Sequence, residues 1–183
     1  MDTLVLRIFQ HEVELQCRFI LASVHELNAT QVLRGQDDVW RQLQTILVSS
    51  ANLSKMLWGS GTNKAERKAK EAERKPLRDS LQIEDGSPLR DRNLRNDFEH
   101  FDERVERWFG LSEHRNYMGR NIGPPNMVVG LETGDRFQHF DPTTCVVTFW
   151  DRSVSLSEII AEVQRILPLA HAEASKPHWD QGA

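Results

Sequence analysis

The stretch Leu89–Phe109, LRDRNLRNDFEHFDERVERWF, decides how the chain is read. Its apolar residues Leu94, Phe98, Phe101, Val105 and Trp108 recur at four-three-four-three spacing. At 3.6 residues per turn that spacing makes one stripe. Ser87-Pro88 supplies a cap and a first-turn proline, and Gly110 supplies a stop. The stretch therefore reads as one amphipathic helix. Inside it lies Arg95-Asn96-Asp97-Phe98-Glu99-His100. At about 100° per residue, Asn96, His100, Glu103 and Arg107 fall opposite the apolar stripe, with Arg95, Glu99 and Glu106 on its flank. A guanidinium, an amide and an imidazole thus share the polar side of a rigid element.

Upstream, Asp2 and Thr3 are candidate caps for a first helix running to about Leu27, with Leu6, Phe9, Val13, Cys17, Ile20, Val24 and Leu27 at steps of three and four. Residues 28–38 form a polar connection turning at Gly35. A second helix is expected from about Asp38 to Trp58, stopped by Gly59-Ser60-Gly61, with Val39, Leu43, Ile46, Leu47, Leu53 and Leu57 inward. Lys64–Lys75 favours helix by propensity but has no apolar face, and Pro76 ends it. Leu77, Leu81 and Ile83 restart an apolar face.

Downstream, residues 111–135 are rich in Gly, Pro and Asn and read as a long loop. Arg136–His139 and Thr144–Trp150 read as two strands joined through Asp141-Pro142-Thr143. Ser155 or Ser157 caps a last helix containing Leu156, Ile159, Ile160, Val163, Ile166 and Leu167. The expected fold is mainly α: a bundle of about four long helices plus a C-terminal helix, with a small C-terminal β-hairpin. Residues 1–110 would form the bundle, and residues 111–183 the loop, hairpin and last helix packed on the same domain.

The 183 residues suffice for a domain with a real core. A formal net charge of -4 excludes a global basic field that would draw the chain to nucleic acid or anionic membrane. The charge is uneven, however. Residues 64–95 carry ten bases against seven acids, and residues 96–183 eight bases against fourteen acids, so the basic part ends at the hexapeptide. Two distant cysteines, Cys17 and Cys145, read as small buried hydrophobes in a reducing compartment. The apolar N-terminal stretch is broken by Arg7, Gln10, His11, Glu12 and Glu14, so it is read as neither a signal peptide nor a membrane span. The expected location is the cytoplasm.

Arg, then Asn, then three residues, then His, on the penultimate long helix of a bundle, resembles the signature of the HEPN superfamily, the higher-eukaryote and prokaryote nucleotide-binding domains. The resemblance covers roughly Thr3 to Gly110. It implies a metal-independent endoribonuclease without cofactor, of the kind found in toxin–antitoxin and antiphage systems. It also implies a homodimer in which the two Arg95–Arg107 helices face each other across one RNA cleft. Arg95 and His100 would be the catalytic pair and Asn96 the polar residue beside them. Arg90, Arg92, Arg115 and Arg120 are the candidate RNA contacts, and an antitoxin or other protein is a candidate partner.

The chemistry suits RNA, which carries its own nucleophile in the 2′-hydroxyl. An imidazole exchanges protons at neutral pH. A guanidinium binds phosphate through two N–H groups and stabilises charge that builds on it. The competing reading is a non-catalytic helical module for protein–protein contact or dimerisation. In it, Arg95–Glu99 and Glu103–Arg107 are ordinary i,i+4 ion pairs and Asn96–His100 a surface hydrogen bond. The crowd of Asp97, Glu99, Asp102, Glu103 and Glu106 favours that reading, because RNA affinity rests on neutralising phosphate. The segment His114–Asn121 reads either as a nucleic-acid contact or as a loop packed beside the helix it follows. Asp97-x-x-His100 lacks the second helix-borne Glu-x-x-His pair of a di-metal bundle.

Overall fold

The computed structural model describes residues 1–30, 35–91, 100–125, 127–131, 133–150 and 152–177. Among them the chain is mostly helical. Its helices are α1 (Thr3–Thr30), α2 (Gln36–Trp58), α3 (Lys64–Glu73), α4 (Lys75–Ser80), α5 (Phe101–Leu111) and α6 (Leu156–Ala174). Its strands are β1 (Met118–Ile122), β2 (Arg136–Asp141), β3 (Val146–Phe149) and β4 (Arg152–Ser155). Residues 1–91 with 159–183 form one compact unit and residues 92–158 another.

In the first unit α1 starts where Asp2 Oδ1 accepts from Leu4 N at 2.8 Å and Val5 N at 3.3 Å. It buries Val13, Cys17, Ile20 and Leu27. α2 buries a wider face that includes Trp40, Leu43, Ile46, Leu53 and Leu57. Its interior serines are satisfied locally or across the unit: Ser50 Oγ donates to Ile46 O at 2.7 Å, and Ser54 Oγ to Arg90 O at 3.1 Å. Gly59 ends α2 at φ 72°, its N–H donating to Lys55 O. A side chain at Gly59 would also collide with Lys70, whose Cβ lies 2.6 Å from where a new Cβ would stand.

α3 has no buried residue, in keeping with its missing apolar face, and is held by Asn63, whose side chain accepts from Glu66 N at 2.9 Å. Pro76 lies in the first turn of α4, which buries Leu77. α6 joins this unit through Ser87–Glu162 (2.9 Å), Arg7–Glu173 (3.4 Å) and His171–Glu14 (3.0 Å), and through buried Ile159, Val163, Ile166 and Ala170.

The second unit is built on a mixed sheet of order β1-β2-β3-β4, with β1 parallel to β2 and the other pairs antiparallel. Phe137, Phe140, Val147, Phe149 and Leu156 are buried in it. Phe101 meets the Phe137 ring edge-on at 5.6 Å, and Phe137 meets Phe149 at 5.0 Å. Buried Asp135 ties α5 to the start of β2 by accepting from Trp108 Nε1 at 2.9 Å and from Ser112 Oγ at 2.6 Å.

The sequence expectations need correction at several places. Leu89–Phe109 is not one helix. Ser87 and Pro88 open only a 3-10 turn, Pro88–Arg90, and Asp91 leaves it with extended backbone, φ -77° and ψ 128°. A separate helix begins at Phe101, with His100 outside it as N-cap at φ -100° and ψ 40°. The physical cause is tertiary: Leu89 is buried and the Arg90 carbonyl is engaged by Ser54, so the turn is fixed against α2 instead of propagating. Residues 92–99 lie outside the described residues. Among those described, α1 and α2 are the only long helices before α6, not four. The expected hairpin is four strands. β1 lies within residues 111–135, read as loop, and the run Thr144–Trp150 is strand only at Val146–Phe149. Cys145 and Trp150 occupy flanking turns at φ 57° and 54°. Cys145 is therefore a half-buried turn residue, while Cys17 is fully buried, its thiol pushed up to about 12 by loss of solvent.

Candidate active site

His100 is the described member of the motif. Its carbonyl opens α5 by accepting from Arg104 N at 3.1 Å. Its ring is exposed, and its Nδ1 lies 3.2 Å from Glu103 Oε1. A carboxylate accepting from Nδ1–H leaves the lone pair on Nε2, the tautomer that serves as a base. The i,i+3 step that joins the pair is short because His100 precedes the first helical turn and Glu103 lies in it.

Glu103 is the site residue that sequence reasoning misses. The helical wheel pairs it with Arg107, whose guanidinium instead lies over the Trp150 ring, 5.3 Å from its centroid. The i,i+3 spacing to His100 is the signal that could have found it. Asp102 and Glu103 occupy the first turn of α5, where carboxylates complement the positive end of the helix dipole. Two of the five acids around the motif thus have a local structural cause.

Arg95, Asn96 and Arg92 lie outside the described residues. Arg90 is engaged: its guanidinium donates to Glu71 Oε1 at 2.6 Å and Asp85 O at 3.2 Å, and lies 6.0 Å from the Trp58 ring centroid. Arg115 stacks on Phe109 at 4.0 Å, and its backbone N–H donates to Ser112 Oγ at 2.9 Å. Tyr117 meets Trp108 edge-on at 5.3 Å. The segment after α5 therefore folds back on that helix, as the packed-loop alternative expects. Arg120 is exposed on β1; burial holds the Tyr117 phenol above its usual range, and the Arg120 charge opposes that in part.

Two other groups have perturbed chemistry. His139 on β2 is buried, its Nδ1 3.0 Å from Asn121 Nδ2. Burial holds its imidazole below the usual range, Arg136 adds to that, and Asp141 opposes it. Asp141 is held below the usual carboxylate range, chiefly by the Thr144 hydroxyl at 2.8 Å. Among the described residues no group of three His, Cys, Asp or Glu side chains is arranged to hold a metal ion. No described helix is long and apolar enough to cross a membrane. Comparison with protein-family models, curated proteins and solved structures finds no match.

Proposed function

We propose that the chain is a metal-independent endoribonuclease of the HEPN type, acting as a homodimer through the Arg95–Arg107 stretch. The observation that carries this reading is the Arg95-Asn96-x3-His100 spacing, with His100 exposed and bonded to Glu103 through Nδ1. In the reaction, His100 Nε2 takes the proton of an RNA 2′-hydroxyl, whose oxygen attacks the adjacent phosphorus. The 5′-oxygen leaves and takes up a proton, giving a 2′,3′-cyclic phosphate and a 5′-hydroxyl. Arg95 binds the phosphate and stabilises the charge that builds on it, and Asn96 holds the phosphate or the imidazole. Arg92, Arg115 and Arg120 contact the strand, and Arg90 does so by leaving Glu71 and Asp85. The setting that suits such an activity is a cytoplasmic toxin–antitoxin or antiphage system, with an antitoxin as protein partner.

A second reading, a non-catalytic interaction module, is favoured by large apolar side chains exposed on α1. One experiment separates the two. Purified chain is incubated with structured and single-stranded RNA in EDTA, beside His100→Ala and Arg95→Ala. Cleavage by the wild type that both variants lose supports the ribonuclease. Equal cleavage by all three, or none by the wild type, refutes it and leaves the interaction module.

A further inference from the structure

A nucleic-acid strand needs positive charge for its phosphates and flat groups for its bases, and the second unit offers both in one segment. From Arg107 to Leu131 the chain carries three arginines and one acid, Glu113, whereas the rest of residues 96–183 carries five bases and thirteen acids. The same segment holds two aromatic residues that the core does not take up: Phe109 is 52% exposed and Tyr117 44%.

Both rings are fixed in place. Ser112 Oγ donates to buried Asp135 and accepts from Arg115 N at 2.9 Å. Arg115 stands in the left-handed region at φ 52°, and its carbonyl accepts from Tyr117 N at 3.0 Å. This turn carries the Arg115 guanidinium back over the Phe109 ring, 4.0 Å from its centroid. It also sets Tyr117 against Trp108 and Phe137, whose ring centroids are 5.3 Å and 5.5 Å away. A Cβ at Gly119 would stand 3.1 Å from Tyr117 Cε1 and 3.3 Å from its hydroxyl oxygen, so the bare glycine lets the ring lie against β1. Groups held before a ligand arrives lose little freedom when it stacks on them.

Tyr117 presents a ring and Arg115 a guanidinium plane, the two kinds of flat group on which unpaired bases stack. Layered on Phe109, Arg115 keeps its N–H edges for phosphate. Arg120, exposed on β1, brings a further charge near enough to act on the Tyr117 phenol. Stacking reads no base edge, so every base suits it. In a duplex the base faces are covered by their neighbours, and only a single strand can use the rings. We propose that Phe109, Arg115 and Tyr117 form a stacking site for unpaired nucleotides, which makes single-stranded RNA the substrate. That the strand is RNA rests on the ribonuclease reading. The site lies beyond Arg107, outside the stretch assigned to the dimer. Phe109 stands nine residues after His100, about 14 Å along the axis of α5. The site therefore anchors the strand and does not touch the reacting phosphate.

The test is fluorescence anisotropy of a labelled oligouridylate of about twelve nucleotides, in EDTA and at one fixed salt concentration. The full chain carries His100→Ala so that the strand stays intact, and an RNA duplex of the same length is the comparison. The single strand should bind about tenfold tighter than the duplex, or better. Phe109→Leu and Tyr117→Leu, each added to that chain, should weaken single-strand binding about tenfold with the far-ultraviolet spectrum unchanged, because leucine fills the space and removes the ring. Tyr117→Phe, which restores a ring, should return the affinity to within about threefold. A duplex bound as tightly as the single strand overturns the proposal. So does binding indifferent to both leucine variants, or no binding of either RNA, which would leave the surface to a protein partner. Cleavage by the wild type is scored separately. If it is absent while single strands bind through Phe109 and Tyr117, the ribonuclease reading fails and the stacking site stands. If it is present while binding ignores both leucine variants, the stacking site alone fails.

Discussion

Replacing Arg78 by methionine tests what holds the first unit together where α2 ends. Arg78 is 7% exposed. Its Nη1 donates to Leu57 O at 2.6 Å and to Glu71 O at 3.1 Å, and its guanidinium lies 5.7 Å from the Trp58 ring centroid. The last carbonyls of a helix have no partner within it. In α2 the Lys55 carbonyl is satisfied by Gly59 N–H and the Leu57 carbonyl by Arg78. The cation also sits at the negative end of the α2 dipole. Each charge-assisted hydrogen bond contributes about 1.5–3 kcal/mol. Methionine keeps the volume of the stem but donates nothing, and relief of the guanidinium's desolvation returns part of the loss. The expected net cost is about 3 kcal/mol. For a chain of this size about 1 kcal/mol corresponds to 2–4 °C, so the transition that unfolds the first unit should fall by about 9 °C. Urea and thermal unfolding followed by tryptophan fluorescence measure this, with Trp58 as a nearby reporter. Arg78→Lys, which keeps the charge and loses the planar fork, should fall between the two. A methionine variant within about 0.5 kcal/mol of wild type would refute the reasoning, because a surface substitution moves stability by no more than that.

His139 makes the second unit sensitive to acid. Its folded-state affinity for a proton is below that of the unfolded chain, so the unfolded chain protonates first as pH falls. The stability it contributes is fully present above the ordinary imidazole value, about 6.5, and is lost as pH drops below it. The unfolding midpoint of this unit should fall between neutral pH and about pH 5 and flatten in His139→Gln; parallel profiles for the two proteins would contradict the assignment. On the ribonuclease reading, Glu103→Gln should slow cleavage by a few-fold only, since an exposed pair contributes about 0–1 kcal/mol, whereas His100→Ala abolishes it. A loss through Glu103→Gln as complete as that of His100→Ala would mean that Glu103 does more than orient the ring.

The parts of the fold legible in the sequence are those whose causes are local. α1 and α2 follow from apolar steps of three and four and from caps beside them, Asp2 at one start and Gly59 at one end. The last helix begins where Ser155 Oγ accepts from Glu158 N. The parts not legible have causes far away in sequence. β1 offers Gly119, Arg120 and Asn121 at its centre, none favourable to a strand, and exists because β2 provides a parallel ladder from Arg136 to Phe140. The break after Arg90 follows from a hydroxyl thirty-six residues upstream, on Ser54. Trp40 has no assigned role in the sequence because its neighbour Val39 already fits the α2 stripe, yet it is 1% exposed and belongs to the core.

The candidate site divides along the same line. Residue types and spacing are visible in the sequence, whereas which charges are already engaged is a tertiary property. Ten bases among residues 64–95 suggest a reserve of positive charge for RNA. Lys70 is paired with Glu73, Lys75 with Asp79 and Arg90 with Glu71, and Arg78 is buried against backbone carbonyls. These four cations stabilise the corner from α2 to α4 before they can act on a phosphate. The acids of α5 shift the opposite way: Asp102 and Glu103 stand at the positive end of a helix, and Glu103 is bonded to His100. Counting charges along the chain therefore overstates both the attraction of the basic segment and the repulsion of the acidic helix. The electrostatic case for RNA then depends most on the motif's own arginine, which is why Arg95→Ala, and not a neutralised lysine of α3, is the informative companion to His100→Ala.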